Sequence, residues 1–494
     1  MKFGGSSVQD ASRIRDVVSI ILPASSKTSV AVVVSAMRGV TDKLILAGRG
    51  AERGDSGYKE QVREIALRQL FAVGELFAGS AGGPRRSAGH ELAADLTESG
   101  RPWRASEMRA YRGAGEATLG KQLDILEELE ELLTGIELVR ECTPRSLDLV
   151  MSAGERLSCI LIADYINSLG HRATYLDARE FIRTDGTHGH AEVDFDESYP
   201  AIRARVSASP GLPIITGFIG SSRTGATTTL GRDGSDYTAS IVGAALGSEV
   251  IEIWTDVDGV MSADPRFVKE AFVIPEMSFQ DAMELSYFGA KVIHPSTMIP
   301  AVELDIPILI KNTLNPTAPG TLISRNSVTR AKEITGIASI ENVALINVEG
   351  GGMIGVPGIA SRVFQALARA SINVIMISQA SSEHSICLVC RAGEAEAAIH
   401  SLHQELAREI ETRRIQEPQL ATDLEIIAII GEKMRGTPGI SGKLFSALGG
   451  GGINVLAIAQ GSSERNISFV IERKNKLRAL NVIHGAFLGT EAAR

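Results

Sequence analysis

One stretch near the start of this chain combines a lysine, two glycines and a hydroxyl, a pattern suited to binding phosphate. It reads Lys2-Phe3-Gly4-Gly5-Ser6. Glycines let backbone N–H groups approach phosphate oxygens, and an adjacent lysine can neutralise charge on a transferring phosphoryl group. Many Gly-Gly-Ser turns bind nothing, so this stretch alone leaves open a plain turn or a phosphate loop.

A carboxylate and a guanidinium further along the chain suit the two ends of an amino acid. We expect Glu155, in SAGERLS, at a loop-to-helix junction, where it either caps the helix or binds an ammonium. Arg232, in GRDGSD, could hold a carboxylate through two parallel hydrogen bonds. Ser235 and Asp236 would then lie at a helix N-terminus, where backbone donors point at anions. The alternative is a glycine-rich loop with a Ser/Asp cap.

More charged residues follow the apolar run that ends at Trp254. The predicted set is Thr255, Asp256, Asp264, Arg266 and, after a later helix-like run, Lys291. Their carboxylates either form turns or border a nucleotide, with Arg266 near its phosphates. Cys387 and Cys390 have the C-x-x-C spacing of metal ligands, but no second pair or nearby histidine completes a zinc site, so we predict no protein metal site.

Strand-like and helix-like runs alternate in the part of the chain that carries these motifs. The strand-like runs are 29–37, 172–178, 211–221, 248–260 and 305–313. The helix-like runs include Ala11–Ile21, Ser235–Leu246 and Phe279–Phe288. This alternation predicts an α/β fold with a mainly parallel sheet covered by helices on both faces. Ligand sites in such sheets form at the carboxyl ends of the strands, where the charged motifs fall.

The last third of the chain contains two copies of one segment. Residues 353–386 and 434–467 align without a gap, and about half of the aligned positions are identical. Two copies are too few for a solenoid, which needs at least three repeats. Each copy reads strand, Gly/Pro turn, helix, loop and strand. Two such units side by side would form a small-molecule pocket.

Bulk properties exclude several classes of protein. A chain of 494 residues is long enough for about two to four domains. The net charge of −9 is spread out, which argues against nucleic-acid binding. No apolar run is long enough to span a membrane, and the N-terminus lacks the pattern of a secretory signal. We therefore expect a cytoplasmic protein with no membrane partner.

The ordered set of motifs resembles the aspartate kinase family. The matching stretches are KFGGSSV, SAGERLS, ITGFIG, LGRDGSDY, EIWTDVDGV, ADPR, ELSYFGAKVIHP and KNT. The paired MxGxPGI…INV…QxSSE segments resemble the regulatory ACT domains of that family. The resemblance covers nearly the whole chain and is weakest over residues 51–140. It implies an amino-acid-kinase fold followed by two ferredoxin-like ACT domains.

The resemblance implies a function as well as a fold. The family transfers the γ-phosphoryl group of ATP to the side-chain carboxylate of L-aspartate, with Mg²⁺, giving 4-phospho-L-aspartate and ADP. This reaction begins the biosynthesis of lysine, threonine and methionine. The alternatives are another amino-acid kinase, acting on glutamate, acetylglutamate or a nucleotide, and an inactive amino-acid-sensing subunit.

The resemblance assigns the functional roles known in the family to individual residues of this chain, one motif at a time. The resemblance implies that Lys2 and Asp236 are catalytic, that Glu155 holds the aspartate ammonium, and that Arg232 and Ser235 complete the substrate site. The implied ATP-binding residues are Lys2, Gly4, Gly5, Ser6, Ser35, Thr255, Asp256, Asp264, Arg266 and Lys291.

Three departures from the family pattern affect these expectations. Ser6 replaces the usual Thr, which keeps the hydroxyl. Asp233 occupies a position that is commonly Gly or Asn, and its carboxylate would repel phosphates unless it points to solvent. Met261 replaces a usual Tyr. Only Met1 precedes Lys2, so we expect either that the true N-terminus lies upstream or that the first strand is unusually short.

The ACT pair predicts an amino-acid effector. The implied effector-binding residues lie in the first copy and are Met353, Gly355, Pro357, Gly358, Asn373, Val374 and Gln379. Lysine-binding versions need an acid for the side-chain ammonium, and this turn and strand contain none. We therefore expect threonine rather than lysine. The alternative is that the ACT pair serves only to form the homodimer or higher oligomer that the resemblance implies.

The expected domains are a catalytic domain over 1–325 and ACT domains over 334–415 and 420–477. We expect residues 478–494 to complete the first ACT domain. That tail resembles the end of the kinase segment in bifunctional aspartokinase–homoserine dehydrogenases. We expect this chain to lack dehydrogenase activity, since no such segment follows in the sequence.

Overall fold

The computed structural model describes the chain in five stretches, which are residues 1–78, 115–289, 293–325, 333–379 and 384–489. Contacts divide it into two compact units. Unit 1 comprises Met1–Gly259 and Ile293–Arg325, and unit 2 comprises Val260–Val292 and Asn326–Arg494. Within the described stretches, no helix is long and apolar enough to cross a membrane.

The helices of the described residues are α1 (Ala11–Ser25), α2 (Val40–Arg53), α3 (Tyr58–Phe77), α4 (Glu116–Val139), α5 (Pro144–Ser168), α6 (Phe195–Ala208), α7 (Gly234–Leu246), α8 (Phe279–Tyr287), α9 (Ile299–Glu303), α10 (Ile359–Arg369), α11 (Ala395–Glu405), α12 (Ala407–Glu411), α13 (Ile440–Gly450) and α14 (Lys476–Phe487).

The strands are β1 (Lys2–Phe3), β2 (Val32–Val34), β3 (Ala173–Leu176), β4 (Arg183–Thr184), β5 (Leu212–Thr216), β6 (Ile219–Ser222), β7 (Thr227–Thr229), β8 (Ile251–Thr255), β9 (Glu276–Ser278), β10 (Ile308–Asn312), β11 (Thr321–Ser324), β12 (Gly336–Glu349), β13 (Met376–Gln379), β14 (Ser385–Arg391), β15 (Gln419–Ile430), β16 (Ala457–Ala459) and β17 (Asn466–Glu472).

A mainly parallel sheet forms the centre of unit 1. Its strands in this unit run in the order β3-β5-β2-β1-β8-β10-β11. Neighbours are parallel from β3 to β10, and β11 is antiparallel to β10. A smaller sheet contains β4, β6 and β7. The parallel sheet predicted from the alternation of strands and helices is confirmed.

Strand β1 is short but central. It lies between β2 and β8, where Lys2 pairs with Val33 on one side and Ile253 on the other. Phe3 is fully buried and stacks on Trp254 of β8. Apolar residues of α1 to α5 pack with β1, β2 and β5 in one core. Lys2 is therefore fixed by two flanking strands and the core behind them.

The N-terminus of helix α5 and the C-terminus of helix α7 carry residues that are typical of helix ends. Helix α5 has Thr143 as its N-cap, whose side chain accepts from the N–H of Ser146, and Pro144 follows at the first helical position. Helix α7 ends at Gly247 in the left-handed region, with φ of 61°. It begins at Gly234, within one residue of the start predicted from the sequence.

The two repeats of unit 2 share one antiparallel sheet. Its strand order is β13-β14-β12-β15-β17-β16, so the first strands of the two repeats, β12 and β15, pair at the centre. Equivalent turn glycines adopt the same conformation, with φ of 95° at Gly358 and 93° at Gly439. Only glycine adopts this left-handed geometry without strain, which explains why both copies keep it.

The C-terminal helix differs from our expectation. We predicted that residues 478–494 would complete the first repeat. In the structure, α14 packs in one core with α13 of the second repeat, through Leu480, Ile483 and Phe487 against Leu444 and Leu448. The first repeat has a separate core, built on α10 and α11.

Candidate active site

Strand β1 and helix α7 bring two buried, oppositely charged side chains of unit 1 together. Lys2 Nζ lies 2.6 Å from Asp236 Oδ1, and both side chains are about nine-tenths buried. Burial raises the pKa of Asp236, the Lys2 cation opposes that rise, and the nearby charge of Asp233 adds to it. The two predicted catalytic residues therefore form one buried ion pair.

The glycine loop after β1 lies against this pair. A Cβ on Gly4 would be 3.5 Å from Lys2 Nζ, and one on Gly5 would be only 2.8 Å from the carbonyl oxygen of Ala36. The N–H of Ser35 donates to the carbonyl of Phe3, and that of Arg38 donates to Gly5. Gly4, Gly5, Ser6 and Ser35 thus lie in two tightly apposed loops, and position 5 has room only for glycine.

We predicted Glu155 at a loop-to-helix junction, and this prediction is wrong. Glu155 lies inside α5. Small residues before it, Ser152 and Gly154, suggested a loop. They instead permit close packing, since a Cβ on Gly154 would be 2.9 Å from the Cβ of Ala36. This contact brings Glu155 Oε1 to 3.3 Å from the N–H of Ala36, which donates to it. Ala36 therefore contacts both the glycine loop and the helix that carries Glu155.

The second oxygen of Glu155 has an unusual environment. The residue is 3 % exposed, and within the described part of the chain its Oε2 has no hydrogen-bond partner. Burial raises the pKa of Glu155 to about 8, and the bond from Ala36 only partly opposes this. A carboxyl group in this setting ionises readily only when a cation approaches it.

Arg232 lies in the loop before α7 and is mainly exposed. Its Nε is 3.8 Å from Asp233 Oδ2, too far for a hydrogen bond. Asp233 adopts φ of 54°, a left-handed conformation that Gly and Asn adopt more readily. Ser235 is buried against the end of β5, since a Cβ on Gly217 would be 2.7 Å from the Cβ of Ser235. Arg232 is thus the accessible cation at this helix start.

Thr255 is the last residue of β8, and Asp256 follows it directly. Thr255 Oγ1 donates to Asp256 Oδ1 at 3.2 Å, and the Thr255 carbonyl accepts from Thr313 N–H. Thr313 Oγ1 is in turn 2.7 Å from Ser7 Oγ, next to the loop of Gly4 and Gly5. Thr313 and Ser7 therefore link the end of β8, with its two predicted residues, to the glycine loop.

Three other predicted nucleotide residues are placed elsewhere or not described. Asp264 and Arg266 belong to unit 2, where they pair through Arg266 Nη2 and Asp264 Oδ2 at 2.6 Å. Burial of Asp264 raises its pKa, but the bonds from Arg266 outweigh that effect and lower it. Lys291 lies outside the described residues. The nucleotide roles of all three stay predictions.

Sequence reasoning overlooked Phe218, which stands at the end of β5 facing the start of α7. It adopts φ of 68°, an outlier for a bulky residue. The conformation is held by Thr238, whose Oγ1 accepts from Phe218 N–H at 3.0 Å and donates to the Gly234 carbonyl. Such strain often marks functional sites. Nothing in the sequence distinguishes this phenylalanine from a core residue.

The effector residues predicted in the first repeat surround an exposed turn. Met353 is buried, Gly355 has φ of 67°, and Asn373 and Gln379 are exposed. A cavity of about 370 Å³ lies in the second repeat, lined by the equivalent residues Met434, Gly436, Pro438, Gly439 and Gln460 together with Glu464. Glu464 Oε2 accepts from the N–H of Gly436 at 2.6 Å. Its counterpart, Glu383, is outside the described residues.

Another cavity lies at the opposite edge of the unit 1 sheet. It has a volume of about 1130 Å³ and borders Ala31, Leu212 and Ile251 at the amino ends of their strands. None of the predicted site residues lines it. In the parts of the chain that the structure describes, no three histidine, cysteine or acidic side chains are grouped to hold a metal ion.

Comparison with known proteins agrees with this geometry. The amino acid kinase family profile matches residues 1–312, and the ACT domain profile matches residues 346–406 and 427–487. Bifunctional aspartokinase/homoserine dehydrogenase 1 of Arabidopsis thaliana is 36% identical over 493 residues, which are 98% of this chain and 50% of that protein. This chain thus spans about half the length of that relative.

Relatives of comparable length match as well. Aspartokinase 3 of Arabidopsis thaliana is 35% identical, over 99% of this chain and 82% of its own. The crystal structure of E. coli aspartokinase III in complex with aspartate and ADP has a TM-score of 0.75 and 27% identity, and covers 98% of both chains. The expected kinase fold followed by ACT domains is confirmed. The chain belongs to the amino acid kinase family and, within it, to the aspartokinases.

Proposed function

We propose that this chain is an aspartate kinase, which transfers the γ-phosphoryl group of ATP to the side-chain carboxylate of L-aspartate. An aspartate carboxylate oxygen attacks the γ-phosphorus, the bond from that phosphorus to the ADP oxygen breaks, and 4-phospho-L-aspartate and ADP leave. The observation that carries the proposal is the buried Lys2–Asp236 pair beside the glycine loop, with Glu155 on the adjoining helix.

The two ends of the amino acid have separate partners in this proposal. Glu155 Oε2 accepts hydrogen bonds from the α-ammonium group of aspartate, which supplies the cation that a buried carboxylate requires. Arg232 binds the α-carboxylate through its guanidinium, and Ser235 supports it from the first turn of α7. The side-chain carboxylate then points toward the phosphates, and it needs no activation because it is already a nucleophile.

Lys2 and the glycine loop act on the triphosphate. Lys2 Nζ neutralises charge on the phosphoryl group in flight, and the backbone of Gly4, Gly5 and Ser6 lines the phosphates. Asp236 holds Lys2 in place through the 2.6 Å contact. Thr255 and Asp256 border the nucleotide in this arrangement.

Mg²⁺ fits the oxygen donors of this site. Magnesium binds through one or two carboxylates together with substrate phosphates. Asp233 immediately precedes α7, and Asp236 lies in its first turn. They would hold the ion, which would draw charge from the γ-phosphate when bound.

We further propose that threonine is the effector. Among the described residues that line the cavity of the second repeat, Glu464 is the one acid, and Gln460 and Thr437 offer neutral polar groups. A single carboxylate can pair with the one ammonium group of threonine, whereas lysine brings two, and an unpaired buried ammonium is costly. Ile377 of β13 and Ile458 of β16 are exposed apolar side chains, which supports the proposed homodimer through these ACT units.

Replacing Arg232 should weaken aspartate binding selectively. We expect Arg232→Ala to raise KM for L-aspartate by about ten- to hundredfold, the worth of a charge-assisted hydrogen bond, with KM for ATP nearly unchanged. The measurement is aspartate-dependent ADP release, with hydroxylamine trapping of the acyl phosphate. Arg223→Ala is the matched control, because Arg223 is equally exposed but pairs with Asp194 and Glu197. Equal KM values in both variants would disprove the assignment of Arg232.

Aspartate binding should depend on pH through Glu155. The pKa of about 8 means that Glu155 of the free protein is mostly protonated at neutral pH. The ammonium pairs with the ionised form, so affinity for aspartate should rise about tenfold per unit as pH increases toward about 8, then level off. Calorimetry at several pH values should also detect proton release on binding. Glu155→Gln should bind weakly and lose this slope. A slope that persists in that variant would exclude Glu155.

Inhibition of ADP release should distinguish the effectors and the two repeats. We expect threonine to inhibit and lysine not to, and we expect Gln460→Ala to weaken threonine inhibition by about tenfold through loss of one or two hydrogen bonds. Gln379→Ala, the equivalent change in the first repeat, is the comparison. Preferential inhibition by lysine would reject the threonine proposal. Loss of inhibition only in Gln379→Ala would place the effector-binding site in the first repeat, as the sequence predicted.

A further inference from the structure

A buried carboxylate outside the predicted site connects the segments that carry its two substrate-binding residues. Asp148 lies in α5, two helical turns before Glu155 and therefore on the same face. Its side chain is completely buried. Burying an ionised group is costly unless it is paired or well hydrogen-bonded, so its partners identify what it holds in place.

Asp148 has three partners on two other segments of unit 1. Thr229 Oγ1, at the end of β7, donates to Asp148 Oδ1 at 2.6 Å. His188 Nδ1 is 2.7 Å from Oδ2, and the N–H of Gly189 donates to the same oxygen at 3.1 Å. Helix α5, strand β7 and the glycine-rich loop 186–190 are therefore joined at one carboxylate.

The loop that carries Arg232 begins directly after Thr229, the residue of β7 that is bonded to Asp148. Thr229 is followed directly by Leu230, whose N–H donates to the carbonyl of Phe218. At Gly231, with φ of 78°, a Cβ would be 3.4 Å from the Cβ of His190. The N–H of Ala191 donates to the carbonyl of Thr229. The start of the Arg232 loop is thus held on one side by residues 189–191, which Asp148 fixes in turn.

We propose that Asp148 is a positioning residue that sets the spacing between Arg232 and Glu155. It holds both ends of the aspartate site by tying the strand before Arg232 to the helix that carries Glu155. Among the described residues, Arg232 forms no close ion pair, since its Nε lies 3.8 Å from Asp233 Oδ2. Its location therefore depends on where its loop begins. This inference rests on the proposed aspartate kinase activity.

Two adjacent threonines on β7 allow a test that distinguishes a positioning role of Asp148 from a contribution to stability alone. Thr229 is bonded to Asp148, whereas Thr228 Oγ1 is 2.9 Å from Thr184 Oγ1, and both threonines are fully buried. Thr229→Val and Thr228→Val each remove one buried hydroxyl of the same strand. Their general effects on folding should be similar, so a difference in substrate binding reports on Asp148.

The test measures KM and kcat for both substrates, with the thermal midpoint of each full-length variant. We expect Thr229→Val to raise KM for L-aspartate by about tenfold, the effect of losing one hydrogen bond to a charged group, with KM for ATP and kcat changed much less. Thr228→Val should leave both KM values unchanged. Thr229→Ser, which keeps the hydroxyl, should restore the KM of the unmodified protein, and Asp148→Asn should resemble Thr229→Val.

Three results would overturn the inference. The first is an equal change in KM for aspartate in Thr229→Val and Thr228→Val. The second is a normal KM for aspartate in folded Asp148→Asn or, if that variant does not fold, in Thr229→Val. The third is absence of aspartate-dependent ADP release by the unmodified protein, which would overturn the proposed function as well. The first two leave the proposed function intact, so the two failures are distinguishable.

Discussion

The ion pair between Lys2 and Asp236 is the interaction on which the rest of the site depends. A lysine and a carboxylate that are each about nine-tenths buried can stay charged only because they face each other at 2.6 Å. Lys2 is fixed by strands on both sides of β1, and Asp236 lies in the first turn of α7. The pair therefore joins two rigid elements and places a cation over the loop of Gly4 and Gly5, where a phosphate would lie.

The substrate side of the site combines a buried carboxyl group, which an approaching cation would ionise, with an accessible cation. Glu155 is buried and keeps one oxygen without a partner among the described residues, so it is suited to an ammonium group. Arg232 is exposed and weakly paired, so in the proposed complex the aspartate carboxylate would be its main partner. Fixing one end in a helix and the other in a loop requires that the loop start at a defined place. Asp148 provides this link through Thr229.

Much of this arrangement could be predicted from the sequence because it is local. The apolar run before Thr216 and the turn residues before α7 predict their elements directly, and the lysine and arginine motifs suggest their chemistry. Glu155 was placed at a junction because Ser152 and Gly154 resemble loop residues. Their small size in fact serves packing against Ala36, a residue distant in sequence. The conformation of Phe218 and the partners of Asp148 likewise depend on contacts between distant segments, which no local pattern specifies.

The duplicated region shows the same limit. Sequence identity predicted two equivalent turns, and the matching φ angles of Gly358 and Gly439 agree. It did not predict that the cavity would lie in the second copy, or that α14 would pack there. Helix α14 lies outside the duplicated segment, so the repeat itself does not specify which copy it packs against.

A double-mutant cycle on the buried pair tests the central claim most directly. Lys2→Met or Asp236→Asn alone leaves one buried charge unpaired, which should cost about 3–5 kcal/mol of stability, while the double variant should recover much of that loss. The account predicts that kcat for aspartate-dependent phosphoryl transfer stays at least a hundredfold down in the refolded, stable double variant, about the effect of removing one charge-stabilising group. A double variant with near-normal kcat would contradict it, because the pair would then serve only the fold.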